Sequence, residues 1–126
     1  MNELPNEILS KIKQIDYFTA ISNPVFLEIE GLVVLESHYT PRSFEQWKRI
    51  IENHSSPEEL ERIENAINHV HLNDIVETPD LQKLIGEYLV AKWKKALLSQ
   101  FPSKSFECHL SLSKNEWELA MWAHHS

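Results

Sequence analysis

Cysteine is nearly absent from this chain of 126 residues: Cys108 stands alone, so an intrachain disulfide is impossible and a four-cysteine zinc site is excluded. Glycine is almost as scarce. Gly31 and Gly86 are the only two, which leaves no glycine linker and no glycine-rich phosphate loop. Basic charge is in deficit, with 12 Lys and Arg against 19 Asp and Glu and a net charge of −7. Duplex-binding proteins draw most of their affinity from cations that displace counterions, so nucleic acid is not an expected partner. The densest basic cluster, Lys92, Lys94 and Lys95, falls near the end of a predicted helix, where it complements the helix dipole. Long apolar runs are missing too. The most apolar stretch, 25–35, carries Glu28 and Glu30 and is too short to span a bilayer. The opening residues hold acid where a secretory leader holds base, and no apolar region follows. The expectation is a soluble cytoplasmic protein. Also missing are a dinucleotide fingerprint, Cys-x-x-Cys, His-Glu-x-x-His and a nucleophile elbow.

What is present suffices for one domain over 1–126. A chain of this length buries roughly two thirds of its unfolded surface. Hydrophobic residues make up 42% of it, four tryptophans and five phenylalanines among them.

Prolines punctuate the sequence. Thr40-Pro41, Ser56-Pro57 and Thr78-Pro79 each offer a side-chain acceptor at the N-cap and a preset φ at the first helical position. Ser56 and Glu59 also make a capping box. Apolar stripes of helical period follow each start. They are Phe44, Trp47, Ile50 and Ile51; Leu60, Ile63, Ile67 and Val70, with Glu58, Glu61 and Glu64 facing water; and Leu81, Leu84, Ile85, Tyr88, Leu89, Ala96 and Leu97. A shorter helix is expected over 4–16, with Leu9 and Ile12 inward.

The C-terminal segment alternates instead. Phe106, Cys108, Leu110 and Leu112 share one strand face, as do Trp117, Leu119, Met121 and Ala123. With Lys114-Asn115 as the turn, Leu112 meets Trp117, Leu110 meets Leu119 and Cys108 meets Met121. The segment 25–39 is β-branched and holds Gly31, which favours β structure over a helix begun at Pro24. It reads as one strand bulged at Gly31, or as two short strands turning at Glu30-Gly31. The expected fold is α+β: a small antiparallel sheet, from the C-terminal hairpin and an N-terminal strand or hairpin, packed against about four helices.

Histidine is the enriched functional type, with seven copies. Glu36-Ser37-His38, Glu52-Asn53-His54 and Glu107-Cys108-His109 repeat Glu-x-His. Residues two apart on a strand share a face, so Glu107 and His109 could reach one ion, with His124 beside them and His38 a further possible donor. A carboxylate and two imidazoles suit Zn²⁺ or Fe²⁺. The plainer reading is a solvated polar sheet face. His69-Val70-His71 is placed on a helix, where neighbours two apart diverge and cannot share an ion; His71 and Asp74 would share a helical face, and two ligands make no strong site. Glu107, His109 and Ser111 resemble a triad only in composition, because alternate strand residues stand about 7 Å apart. Cys108 and His109 point to opposite faces, and Cys108 reads as core beside Met121.

Trp122 falls on the polar face with Glu107, His109, Glu118 and His124. Tryptophan is costly to leave in water and is enriched at interfaces. That face is therefore either a contact surface for a partner protein or second copy, or is covered by the chain's own first helix or 25–39 segment. The leading expectation is a non-enzymatic binding or regulatory protein (adaptor, inhibitor or immunity-like) without a cofactor, whose partner carries basic charge. The alternative is a Zn or Fe protein or metal-dependent enzyme built on Glu107, His109 and His124. A third reading is a small-ligand pocket between sheet and helices, lined by aromatics.

Overall fold

The three proline-marked helices form where the caps place them. In the computed structural model, which describes residues 4–50 and 56–125, α3 spans Pro41–Ile50, α4 Pro57–Ile67 and α5 Pro79–Gln100. Thr40, Ser56 and Thr78 each accept a backbone N–H of the first turn, from Ser43, Glu59 and Leu81 respectively. Five α-helices lie within the described residues, with two small antiparallel sheets, an α+β fold.

The predicted helix over 4–16 is instead two, α1 at Asn6–Leu9 and α2 at Ile15–Ser22. Tertiary hydrogen bonds break it. Lys13 N donates to Ile75 O at 2.7 Å, Gln14 Nε2 donates to Asp74 O, and Gln14 takes a left-handed φ of 52°.

The segment 25–39 forms a hairpin, β1 (Phe26–Ile29) and β2 (Leu32–Leu35), followed by a 3-10 turn at Glu36–His38. Of the two arrangements expected, the turn at Glu30-Gly31 is the one found, with φ of 52° and 83°. Both values lie in the left-handed region that a two-residue hairpin turn of type I′ requires. The C-terminal hairpin, β4 (Phe106–Ser113) and β5 (Glu116–Ala123), has the predicted register: Leu112 opposite Trp117, Leu110 opposite Leu119, Cys108 opposite Met121. Lys114 and Asn115 adopt left-handed φ of 50° and 66°. A third strand was not foreseen. β3 (His69–His71) pairs with β5, giving the order β3-β5-β4.

Two apolar clusters meet across β2, which explains its unbroken Leu-Val-Val-Leu run. Val33 and Leu35 enter the main core with Val70, Leu119, Met121 and the α5 residues Ile85, Leu89, Trp93 and Leu97. Leu32 and Val34 enter a second core with Phe44, Ile63 and Ile67. Leu84 was expected on the inner stripe of α5 but is exposed. Gly86 lets α5 approach β4 closely, since a Cβ there would stand 2.4 Å from Leu110 Cδ1.

The two sheets do not pair, yet their facing edges are bridged. Glu64 was expected to face water and is 0% exposed. Its carboxylate accepts Val33 N of β2 at 2.7 Å and Ala123 N of β5 at 2.9 Å. Asn68, also fully buried, accepts Leu35 N and donates to Val33 O and Met121 O. Two side chains one helical turn apart thus stand in for the missing ladder between β2 and β5. Burial pushes the Glu64 carboxyl up, against the pull of the backbone N–H donors and His125.

Candidate functional site

Strand alternation sorts the C-terminal sheet into two faces. Val70, Leu119 and Met121 turn to the core, where α5 lies against β4 and β5. His69 and His71, Glu118, Ala120 and Trp122, and Glu107 and His109 take the other face. The register crosses it in rows: His69–Ala120–His109, then His71–Glu118–Ser111, then Trp122–Glu107. Ala120, the smallest side chain, separates two imidazole clusters.

The first holds the residues singled out from sequence. Glu107 lies between two imidazoles, with His124 Nε2 2.9 Å from one oxygen and His109 Nε2 3.3 Å from the other. Hydrogen bonds from His124 and then His109 hold its carboxyl below the usual range. The ligand atoms of Glu107, His109 and His124 do not all lie within 4.8 Å of one another. Trp122 stacks at a tilt on His109, ring centres 4.7 Å apart. Its other neighbour is α4. Trp122 and the α4 residues Glu58, Glu61, Arg62 and Asn65 line an open cavity of about 270 Å³. The chain does cover part of this ring, but α4 does so rather than the first helix or 25–39.

The second cluster was missed. His69, His71 and Glu118 each offer a ligand atom, and these atoms all lie within 4.8 Å of one another. Among the described residues no other three His, Cys, Asp or Glu side chains do so. His69 Nε2 sits 2.5 Å from Glu118 Oε1, and the two imidazole centres are 4.9 Å apart. The helical placement of His69-Val70-His71 fails because α4 stops at Ile67. Asn68, turned into the gap between the sheets, makes bonds that a helical continuation would forgo. Val70 then enters the core at 1% exposure, and both histidines face outward together. The available signal was the His-Val-His alternation itself, too short to outweigh the helical stripe before it.

His38 is removed from any ligand set. Its Nδ1 donates to Ile67 O at 2.7 Å, so its Nε2 accepts from the Tyr17 hydroxyl at 2.5 Å. Burial lowers its pKa and keeps it neutral, while burial and then Asp74 push the Tyr17 phenol up to about 12. The Glu52-Asn53-His54 repeat lies outside the described residues. Cys108 was expected in the core beside Met121; it pairs with Met121 and packs against the main core but is only partly buried, and burial pushes its thiol up to about 11. An open cavity of about 420 Å³ lies between α5 and the hairpin, lined by Cys108, Leu110 and Trp117 with Lys83, Glu87 and Val90.

No family model matches this chain, and no curated protein or solved structure is significantly similar to it. Among the described residues, no helix is long and apolar enough to cross a membrane.

Proposed function

We propose that this is a cytosolic, non-enzymatic binding protein whose protein partner docks on the groove between α4 and the outer face of the C-terminal sheet. One observation carries the reading: Trp122 lines that groove together with Glu58 and Glu61. A partly exposed indole beside carboxylates suits a Lys or Arg side chain, which gains both cation–π and ionic attraction. Arg62, the one cation lining the groove, is tied to Glu59 at 2.9 Å. The net charge of −7 favours the encounter with a basic partner. A second copy of this acidic chain would lack that attraction.

The test is the paired variant Glu58→Lys/Glu61→Lys together with Trp122→Ala, each checked for fold by circular dichroism. The partner recovered with the untagged native protein is titrated against each at low and high salt. Loss of binding by the folded variants, and weakening with salt in the wild type, are the expected results. A partner held equally by wild type and both variants would defeat the proposal, as would a salt-independent association. Self-association in sedimentation, abolished by Trp122→Ala, would replace the partner with a second copy.

A further inference from the structure

The cluster at the other end of the same sheet face has a different chemistry. We propose that His69, His71 and Glu118 form a three-ligand site for a divalent transition ion of the zinc class, leaving at least one coordination position open.

Three atoms mutually within 4.8 Å can all be reached from a central point at most about 2.8 Å away, whereas Zn–N and Zn–O bonds run about 2.0–2.2 Å. Closure therefore asks each side chain for a shift of well under about 1 Å, within the range of small rotations about χ1 and χ2. The hydrogen bond between His69 Nε2 and Glu118 Oε1, 2.5 Å long, would be given up on binding, because two donors about 2.1 Å from a tetrahedral ion stand about 3.4 Å apart.

The scaffold holds this arrangement in place. His71 and Glu118 are directly paired across β3 and β5, and His69 is diagonal to Glu118 on the same face. β3 is anchored on both sides of the histidines. Asn68 is locked by its buried hydrogen bonds before them, and Val70 and Leu72 are buried between and after them. Ligands on paired strands are better fixed than ligands on loops.

The donor set selects the ion. Two imidazole nitrogens and one carboxylate oxygen suit Zn²⁺ and its first-row neighbours, whereas Ca²⁺ and Mg²⁺ demand more oxygen. His71 is exposed, so the open side of the site faces solvent. A water, or a ligand atom from a bound molecule, can occupy it.

This site is independent of the docking groove. Glu118 and Trp122 are four residues apart on one strand, about 13 Å along it, with Ala120 between them. Metal binding and partner binding can therefore fail separately.

The experiment is calorimetric titration of ZnCl₂ into the untagged, chelator-treated protein, repeated with His71→Ala, Glu118→Gln and a His109→Ala/His124→Ala control. The expected result is one saturable site. His71→Ala and Glu118→Gln should each weaken it at least about tenfold, as losing even an outer-shell partner does, and the control should leave it unchanged. Wild-type protein without saturable zinc binding would overturn the proposal. So would binding that survives His71→Ala and disappears in the control, which would assign the ion to the C-terminal imidazoles. Cobalt(II) provides a readout that needs no variant. Intense visible bands of a low-coordinate N/O site are expected, and the weak spectrum of the hydrated ion alone would refute the site.

Discussion

Replacing Asn68 with Ala is the most informative single perturbation of this fold. The amide is 0% exposed and serves three backbone groups on two sheets: Leu35 N at 2.7 Å, Val33 O at 3.0 Å and Met121 O at 3.3 Å. Truncation strands all three in a site closed to bulk water. A buried polar group left without a partner costs about 1–3 kcal/mol, the N–H more than a carbonyl with a second lone pair. The expected loss is about 3–5 kcal/mol, a large share of the roughly 5–15 kcal/mol that stabilises an ordinary domain. Urea denaturation near neutral pH reads it. With m of about 1–3 kcal/mol/M, the midpoint should fall by at least about 1 M with little change in slope. Glu64→Gln offers a companion, because a glutamine has one acceptor oxygen for donors that now use two. The substitutions share Val33 as a partner, so the double variant should depart from additivity by about 0.5–3 kcal/mol. A loss below about 1 kcal/mol for Asn68→Ala would refute the reasoning, since water would then be filling the gap and the side chains would not be holding the sheets together.

Two further outcomes follow from buried titrating groups. His38 is held neutral, its pKa lowered from the ordinary 6.5 chiefly by desolvation. The unfolded chain therefore takes up its proton first, and stability present above about pH 6.5 is lost as pH falls toward the lowered folded value. Glu64 acts with the opposite sign, its raised pKa favouring the folded state as pH falls. Subtracting the pH dependence of His38→Gln from that of the wild type isolates the histidine, and equal slopes in urea melts between about pH 7.5 and 5.5 would contradict the assignment. Cys108, at about 11 against an ordinary 9.0, should hold roughly a hundredfold less thiolate than an unperturbed cysteine. A thiolate of higher pKa is also the stronger nucleophile, which offsets part of that deficit, so alkylation by iodoacetamide near pH 8 should be slower than in urea by at least about tenfold, and a native rate within a few-fold of the unfolded one would show the thiol to be accessible.

Much of this architecture was legible because its signals are local. A cap side chain three residues from the N–H it accepts, and a proline whose φ is already helical, act within one turn, so Pro41, Pro57 and Pro79 begin helices wherever those helices end up packed. The alternation from Phe106 to Ala123 likewise sets its own register, because a slip of one residue would turn Cys108, Leu110, Leu119 and Met121 to water. The polar-face grouping of Glu107, His109, Glu118 and Trp122 followed from that register alone. What tertiary structure decided lies where local preference was outvoted by distant partners. Lys13 and Gln14 gave up a helix for bonds to Ile75 and Asp74. Glu64, polar and at a helical position beside water-facing neighbours, was buried because β2 and β5 leave N–H groups facing it. Asn68 ended α4 for the same reason, and in doing so converted His69-Val70-His71 from a helical surface into a strand. The periodicity of a chain records which face of each element is apolar. It carries no record of which unpaired backbone groups two separate sheets will present to each other, and here those groups placed His69 and His71 beside Glu118.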